Sequence, residues 1–514
     1  MTIAATAIWR VRPVASFASV SNTNGGGFDP GVASPGTNYS IVAGGGPQVT
    51  FNGTTITATN AGAGATITIT GYAAAATDVG NMVQIASGTN FTAGTYTIVS
   101  AVPGVSGVGT WTLDRNCTTG VGAAMVGRMG GAWADPWTNM TSSGPLVPGN
   151  VVYIYGGGTD NPSSPDYTKS GGSFVSPTVG NNTAGWIRFI GENGRPRIQS
   201  DGLQYHNVSC NGFENIYFST SSNSNGTLGF MDGAGPVLAI NVAFNQTGKD
   251  MACITVAAAA CFGCEFFSST ANASTAGTNA AIIGGTYGNI YDSCNIHDCW
   301  GDGVKITGQM DTVTNSIISG CRGNGITVSG TTINFRGHIS HNTIDNNFGH
   351  GISVASVGTL GAYDCYSNFI TNHTTAAKYG ISGPAGTTAV NDAVKALWDF
   401  NWFYGNSGGG NYNLVSAGNH DTSGTDPLYT NQGTQDYTLQ SSSTAIGKGF
   451  PAAANPTLPI GVTPPATSTI QPNFLRRGMT PVVENYQDTG GVQKIMTAIV
   501  AFFAFRFLPL FGNF

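Results

Sequence analysis

The chain has 514 residues, of which 40% are hydrophobic, enough apolar material to bury more than one core. Only 9% are charged, against about 25% in an average soluble domain, and the net charge of −6 comes without any block of Lys or Arg. Nucleic acid is thereby excluded as an expected partner, and the 75 glycines among many Thr, Ser and Asn residues predict strands and tight corners.

Residues 1–39 open with Ile8-Trp9-Arg10-Val11-Arg12, read as a capping strand, followed by the glycine-rich loop that ends at Gly27. No apolar core of signal-peptide length precedes Arg10 and Arg12, so classical secretion is not expected. Residues 40–130 alternate short apolar-polar runs with turn clusters. Examples are Gly88-Thr89-Asn90-Phe91-Thr92-Ala93-Gly94-Thr95-Tyr96 and Trp111-Thr112-Leu113-Asp114-Arg115. They predict a small inserted β domain.

Residues 131–425 carry a repeat. Val147-Pro148-Gly149-Asn150-Val151-Val152-Tyr153-Ile154 reads as a first coil. Further on, Gly301-Asp302-Gly303-Val304-Lys305-Ile306, Gly323-Asn324-Gly325-Ile326-Thr327-Val328 and Gly349-His350-Gly351-Ile352-Ser353-Val354 recur at intervals of 22 and 26 residues. The register extends upstream through Ile282 and Ile254 to Leu228 and Ile198, and downstream to Ile381. A second ladder, Ile296, Ile318 and Ile344, lies five residues before each Gly-x-Gly. Two strands per coil, stacked at about 4.8 Å, predict an all-β parallel β-helix, with Val304, Ile326 and Ile352 inward and Lys305, Thr327 and Ser353 outward. The period is too short for a propeller blade and lacks leucine-rich-repeat spacing.

Stacking makes Asp302, Asn324 and His350 equivalent, aligns His297 with Ser319 and Asp345, and puts Asp298 beside them. A cluster of Asp298, Asp302, Asp345, His297 and His350 along one edge is a candidate acid and base site. Corner Asp and Asn residues that cap backbone groups are the simpler account of the same pattern. Trp398, Phe400, Trp402, Phe403 and Tyr404 are read either as a shield over the end of the core or, through Trp398 and Trp402 above all, as a carbohydrate platform. The nine cysteines form no dense framework, and Cys261 and Cys264 make a lone C-x-x-C without a second pair. No metal site and no cofactor are expected from these residues.

Residues 426–493 contain Asp426-Pro427-Leu428-Tyr429, Asp436-Tyr437-Thr438-Leu439-Gln440, Ser443-Thr444-Ala445-Ile446-Gly447-Lys448-Gly449 and Asp488-Thr489-Gly490-Gly491-Val492-Gln493 in that order. The tail, residues 494–514, opens on Lys494 and runs through eleven uncharged residues, 495–505, before Arg506 and Pro509. It is short for a membrane span, and core packing, an assembly contact and a membrane anchor all remain open for residues 495–511.

These closing motifs resemble the recurrent ending of right-handed parallel β-helix repeat proteins of the pectate-lyase-like superfold, with Gly491 where Ala is usual. The N-terminal region resembles that of phage and environmental-virus proteins. Gly349-His350-Gly351 is similar to the G-H-G of polygalacturonase-type glycosidases, but the Asp-Asp and Arg-x-Lys that accompany it there are missing. The resemblance implies a right-handed β-helix. For function, it points to a non-enzymatic virion or surface attachment protein: a homo-oligomer, taken as a trimer, docked through its N-terminal region or its tail and facing a host glycan. The alternatives are a polysaccharide depolymerase, lyase or glycosidase, with Ca²⁺ entering only for the lyase, and a membrane-anchored surface protein.

Overall fold

The computed structural model describes the chain between residues 8 and 448, apart from several stretches, the longest being 29–48, 384–397, 14–26, 221–230, 270–279 and 176–184. The last closing motif, the tail and Leu228 lie outside the described residues. Two compact units are present: residues 1–199 with 209–217, and residues 200–208 with 218 onward.

In the first unit, the strand Ile8–Val11 pairs in parallel with Val151–Tyr155 and antiparallel with Gly27–Phe28. The parallel ladder continues through Ile187–Glu192 to Asn211–Glu214. Trp9 stacks on Trp133 with ring centroids 4.6 Å apart and donates its indole N–H to Asn150 Oδ1. Arg10 and Arg12 both clamp the Glu192 carboxylate, so two buried cations share one anion at this end.

The predicted β domain is an antiparallel sheet of seven strands between Val49 and Gly130. Bridges from Asn60 to Gly122 and from Gly64 to Thr118 draw its two margins together into a near-barrel. Alternation explains the sheet: Thr66–Thr70 reads exposed, buried, exposed, buried, exposed, which places Ile67 and Ile69 in a core with Phe51, Tyr96, Met125 and Trp111. The Trp111 indole N–H is satisfied by Asp78 Oδ2 at 2.9 Å.

The second unit is a parallel β-helix, and here the expected coil needs a correction. Each coil has three strands, not two. In the first sheet Met231, Ile254, Ile282, Val304, Ile326, Ile352 and Ile381 stand in one register row. A second row, which the sequence reading missed, runs Cys261, Tyr291, Val313, Ile339, Cys365, Trp398. The third runs Phe244, Phe266, Ile296, Ile318, Ile344, Ile370, Phe403. Most of these side chains are fully buried, each contributing roughly 1.5–3 kcal/mol of hydrophobic stabilisation. Ile198 does not belong to the first row: it sits in Arg197–Ser200, a strand next to Tyr167–Lys169 in a different ladder.

The missed row escaped because its members are mixed in type and its strands abut those of the third sheet. Only the two residues of a left-handed corner separate them. Those corners are Ser293, Asn315, His341, Ser367 and Phe400, all with φ between 49° and 61°. The following buried position is stapled from coil to coil: Ser316 N–H donates to Asn342 Oδ1, and the Asn342 amide to Asn368 Oδ1. The Asn368 amide in turn donates to Asn401 Oδ1 and to the Ile339 carbonyl. A fully satisfied buried amide ladder stabilises the corner, where a lone buried amide would destabilise it.

Candidate functional site

Every third-sheet strand turns its middle residue inward, so the residues on either side face out. One outer row is Asn245, Phe267, His297, Ser319, Asp345, Thr371 and Tyr404. The predicted alignment of His297 with Ser319 and Asp345 is therefore seen. Asp298 follows at a left-handed corner, equivalent to Gly320, Asn346, Asn372 and Gly405. Asp and Asn tolerate that conformation because their short polar side chains bond locally. A Cβ added at Gly320 would meet Asp298 Oδ1 at 2.8 Å, so the Asp298 side chain leans over a position that only glycine leaves open.

His297 is the centre of this face. Its Nδ1 lies 2.8 Å from Asp298 Oδ2 and its Nε2 3.4 Å from Glu265 Oε1. The ring stacks on Phe267 with centroids 5.2 Å apart. Burial of the ring opposes its charge, but the two carboxylates outweigh it and hold the pKa at about 9. His297 is thus an imidazolium at neutral pH, bracketed by two half-exposed carboxylates. Glu265 was missed in the sequence reading. It pairs in register with Asn295 through the Phe266 to Ile296 row, so extending the second ladder by one coil would have found it.

Asp345 is differently committed. The hairpin formed by Tyr429–Asn431 and Asp436–Leu439 lies against this face. Asp345 Oδ2 accepts from Tyr437 Oη at 2.9 Å and from Gln432 Nε2 at 2.7 Å. Its Oδ1 accepts from Thr371 Oγ1 and Asn372 Nδ2. All four donors leave the buried carboxyl no lone pair to spare for chemistry. The hairpin reaches as far as Asp298, 3.4 Å from Gln435 Nε2.

Asp302 and His350 belong to the stapled turn ahead of the first sheet. Asp302 Oδ1 accepts from Asn324 N–H and Oδ2 from Thr327, and Asn324 Oδ1 then accepts from His350 N–H. His350 Nδ1 accepts the Tyr379 N–H at 3.0 Å, with its ring stacked on Tyr379. Burial, with Lys378 and His373 nearby, lowers its pKa to about 4. The five candidates therefore follow one turn of the coil but split between two separate bonding networks, His297 and Asp298 being the pair that keeps exposed polar atoms together.

Trp398 and Trp402 are 5% and 3% exposed. Trp402 packs with Phe369 and Ala445 beneath the closing hairpin and donates to the Thr425 carbonyl. Neither offers a ring face to a sugar. Cys261 and Cys264 are buried free thiols. Among the described residues no group of three His, Cys, Asp or Glu is placed to hold a metal ion, and no helix is long and apolar enough to cross a membrane.

No family model matches the chain, and no curated protein matches it. Among solved structures it is similar to pectate lyase Pel9A, with 11% identity, a TM-score of 0.38, and coverage of 59% of this chain and 84% of that one. It is also similar to the catalytic unit of a thermostable GH87 α-1,3-glucanase from Streptomyces thermodiastaticus, with 12% identity, a TM-score of 0.29, and coverage of 70% and 90%.

Proposed function

We propose that the protein is a glycan-binding β-helix that attaches without cleaving, displayed on a virion or another surface. The observation that carries this reading is the commitment of its carboxyl groups. Asp345 is saturated by four intramolecular donors, Asp302 accepts two bonds that hold the stapled turn, and Glu265 and Asp298 flank the His297 imidazole. Each of these four carboxyl groups already has a partner within the chain, whereas the paired carboxyls of a glycosidase flank the bond to be cleaved. What the open part of the face offers instead is the polar groups of Glu265 and Asp298, held by the His297 ring that stacks on Phe267. That chemistry suits a neutral, hydroxyl-rich polymer.

The test is retention of the full chain on a panel of insoluble polysaccharides, with parallel assays for new reducing ends and for unsaturated ends. Retention without new ends, weakened by Glu265→Ala with Asp298→Ala, supports attachment. Absence of retention on every polymer sinks it.

A second reading, a depolymerase, is favoured by one feature. Glu265 and Asp298 contact the two nitrogens of one imidazole ring, so two carboxyls share this face, as the acid and base of a glycosidase do. New reducing ends that vanish in Glu265→Gln would replace the first reading with this one.

A further inference from the structure

The closing hairpin does not seal completely against the third sheet. A cavity of about 170 Å³ remains between them, lined by Asn372 and Tyr404 from the sheet side and by Asp426, Tyr429, Gln432 and Gln440 from the closing segment. It lies beyond Asp345 from the His297 face, and its walls are distinct from the Glu265, His297 and Asp298 group.

The lining dictates what can enter. The Asn372 and Gln432 amides each spend an N–H on Asp345, and Gln440 spends one on the Tyr429 carbonyl. Each of these amides keeps its second N–H and its carbonyl oxygen for a guest, joined by the Tyr404 hydroxyl and the Asp426 carboxylate. A wall that both donates and accepts suits a ligand whose groups do the same, as sugar hydroxyls do. No Lys, Arg or His lines the cavity, so an anionic guest would face Asp426 without a compensating charge. Tyr429 is packed against Phe369 and Tyr437, which leaves the half-buried Tyr404 ring as the aromatic surface of the kind that stacks on the C–H side of a sugar ring. The pocket is half open to solvent, so one sugar ring can lie against these walls while the rest of a chain extends outward.

We infer that this cavity is a binding site for one neutral hexose ring, taken as a free sugar or as the end residue of a chain. The site is separate from the proposed attachment face, and its ligand class follows from its own walls.

Saturation-transfer NMR on the full chain with glucose, galactose, mannose and glucuronate tests it. At least one neutral hexose gives transfer at millimolar concentration and glucuronate gives none. Tyr404→Ala lowers affinity at least tenfold, and Gln440→Trp, which fills the cavity from its exposed rim, abolishes transfer. Should Tyr404→Ala loosen the hairpin, as limited proteolysis would reveal, Gln440→Trp decides alone. Gln440→Trp leaves retention on the insoluble polymer unchanged, which separates this site from the polymer-binding face. Silence from all three neutral sugars, equal binding of glucuronate, or transfer that survives Gln440→Trp overturns the inference.

Discussion

The phenol of Tyr437 donates to the carboxyl of Asp345 at 2.9 Å, joining residues 92 positions apart. This contact fixes the closing hairpin to the sheet. It also converts the most enzyme-like acidic residue of the coil stack into a structural acceptor.

Replacing Asp345 with Ala strands the four donors that converge on it. The expected loss is about 3 kcal/mol, since each buried orphan costs on the order of 1 kcal/mol or more. Tyr437→Phe removes one donor and should cost about 1 kcal/mol. Denaturant unfolding measures both, and limited proteolysis should cut Asp345→Ala within residues 426–440 before the coils open. Equal stability of Asp345→Ala and wild type would refute the latch.

His297 titrates near 9, above the usual 6.5. The folded pKa is raised, so its ion pairs contribute fully below about pH 6.5 and are lost as pH rises through 9. With Asp298 half exposed, solvent screening reduces the contribution to roughly 1 kcal/mol. Thermal melts from pH 6 to 10 should show this decline in wild type and not in His297→Gln. An NMR titration midpoint near 6.5 would contradict the bracketed imidazolium.

His350 is displaced the other way, to about 4. Between pH 6.5 and 4 the unfolded chain takes up a proton that the folded chain refuses, so His350 makes the fold lose stability as pH falls through that window. Asn occupies the equivalent position 324 one coil earlier, so His350→Asn should fold normally. Its melting temperature should fall less between pH 6.5 and 4 than that of wild type. An unchanged acid slope would show that other groups set it.

Asn368 holds four bonds in the corner ladder, through the Asn342 backbone and side-chain N–H groups, the Ile339 carbonyl and Asn401. Asn368→Leu keeps the branched shape of the side chain but removes its polar atoms and orphans these partners, for an expected cost of about 3 kcal/mol. Urea unfolding checks it. A loss below about 0.5 kcal/mol would mean that water replaces the ladder.

The rows Ile254, Ile282, Val304, Ile326, Ile352 and Ile296, Ile318, Ile344 could be read from the chain because a parallel stack repeats its inward side chain once per coil. One coil's sequence constrains its neighbours directly, so spacing alone set the fold class and the alignment of His297 with Ser319 and Asp345. The second row, with Cys261, Tyr291 and Trp398 among its members, lacked a common residue type, and only backbone pairing exposed it. The closing motifs were legible as an ending, but not where they would lie. Docking of residues 429–439 onto Asp345, Thr371 and Phe369 is a contact across many coils, and no periodicity encodes it. Tertiary structure therefore decided the chemistry. It buried Asp345 under the hairpin and Trp402 behind it, and left Glu265, His297 and Asp298 as the charged group on the open face, because a repeat fixes neighbours one coil away and says nothing of a strand that returns from outside the repeat.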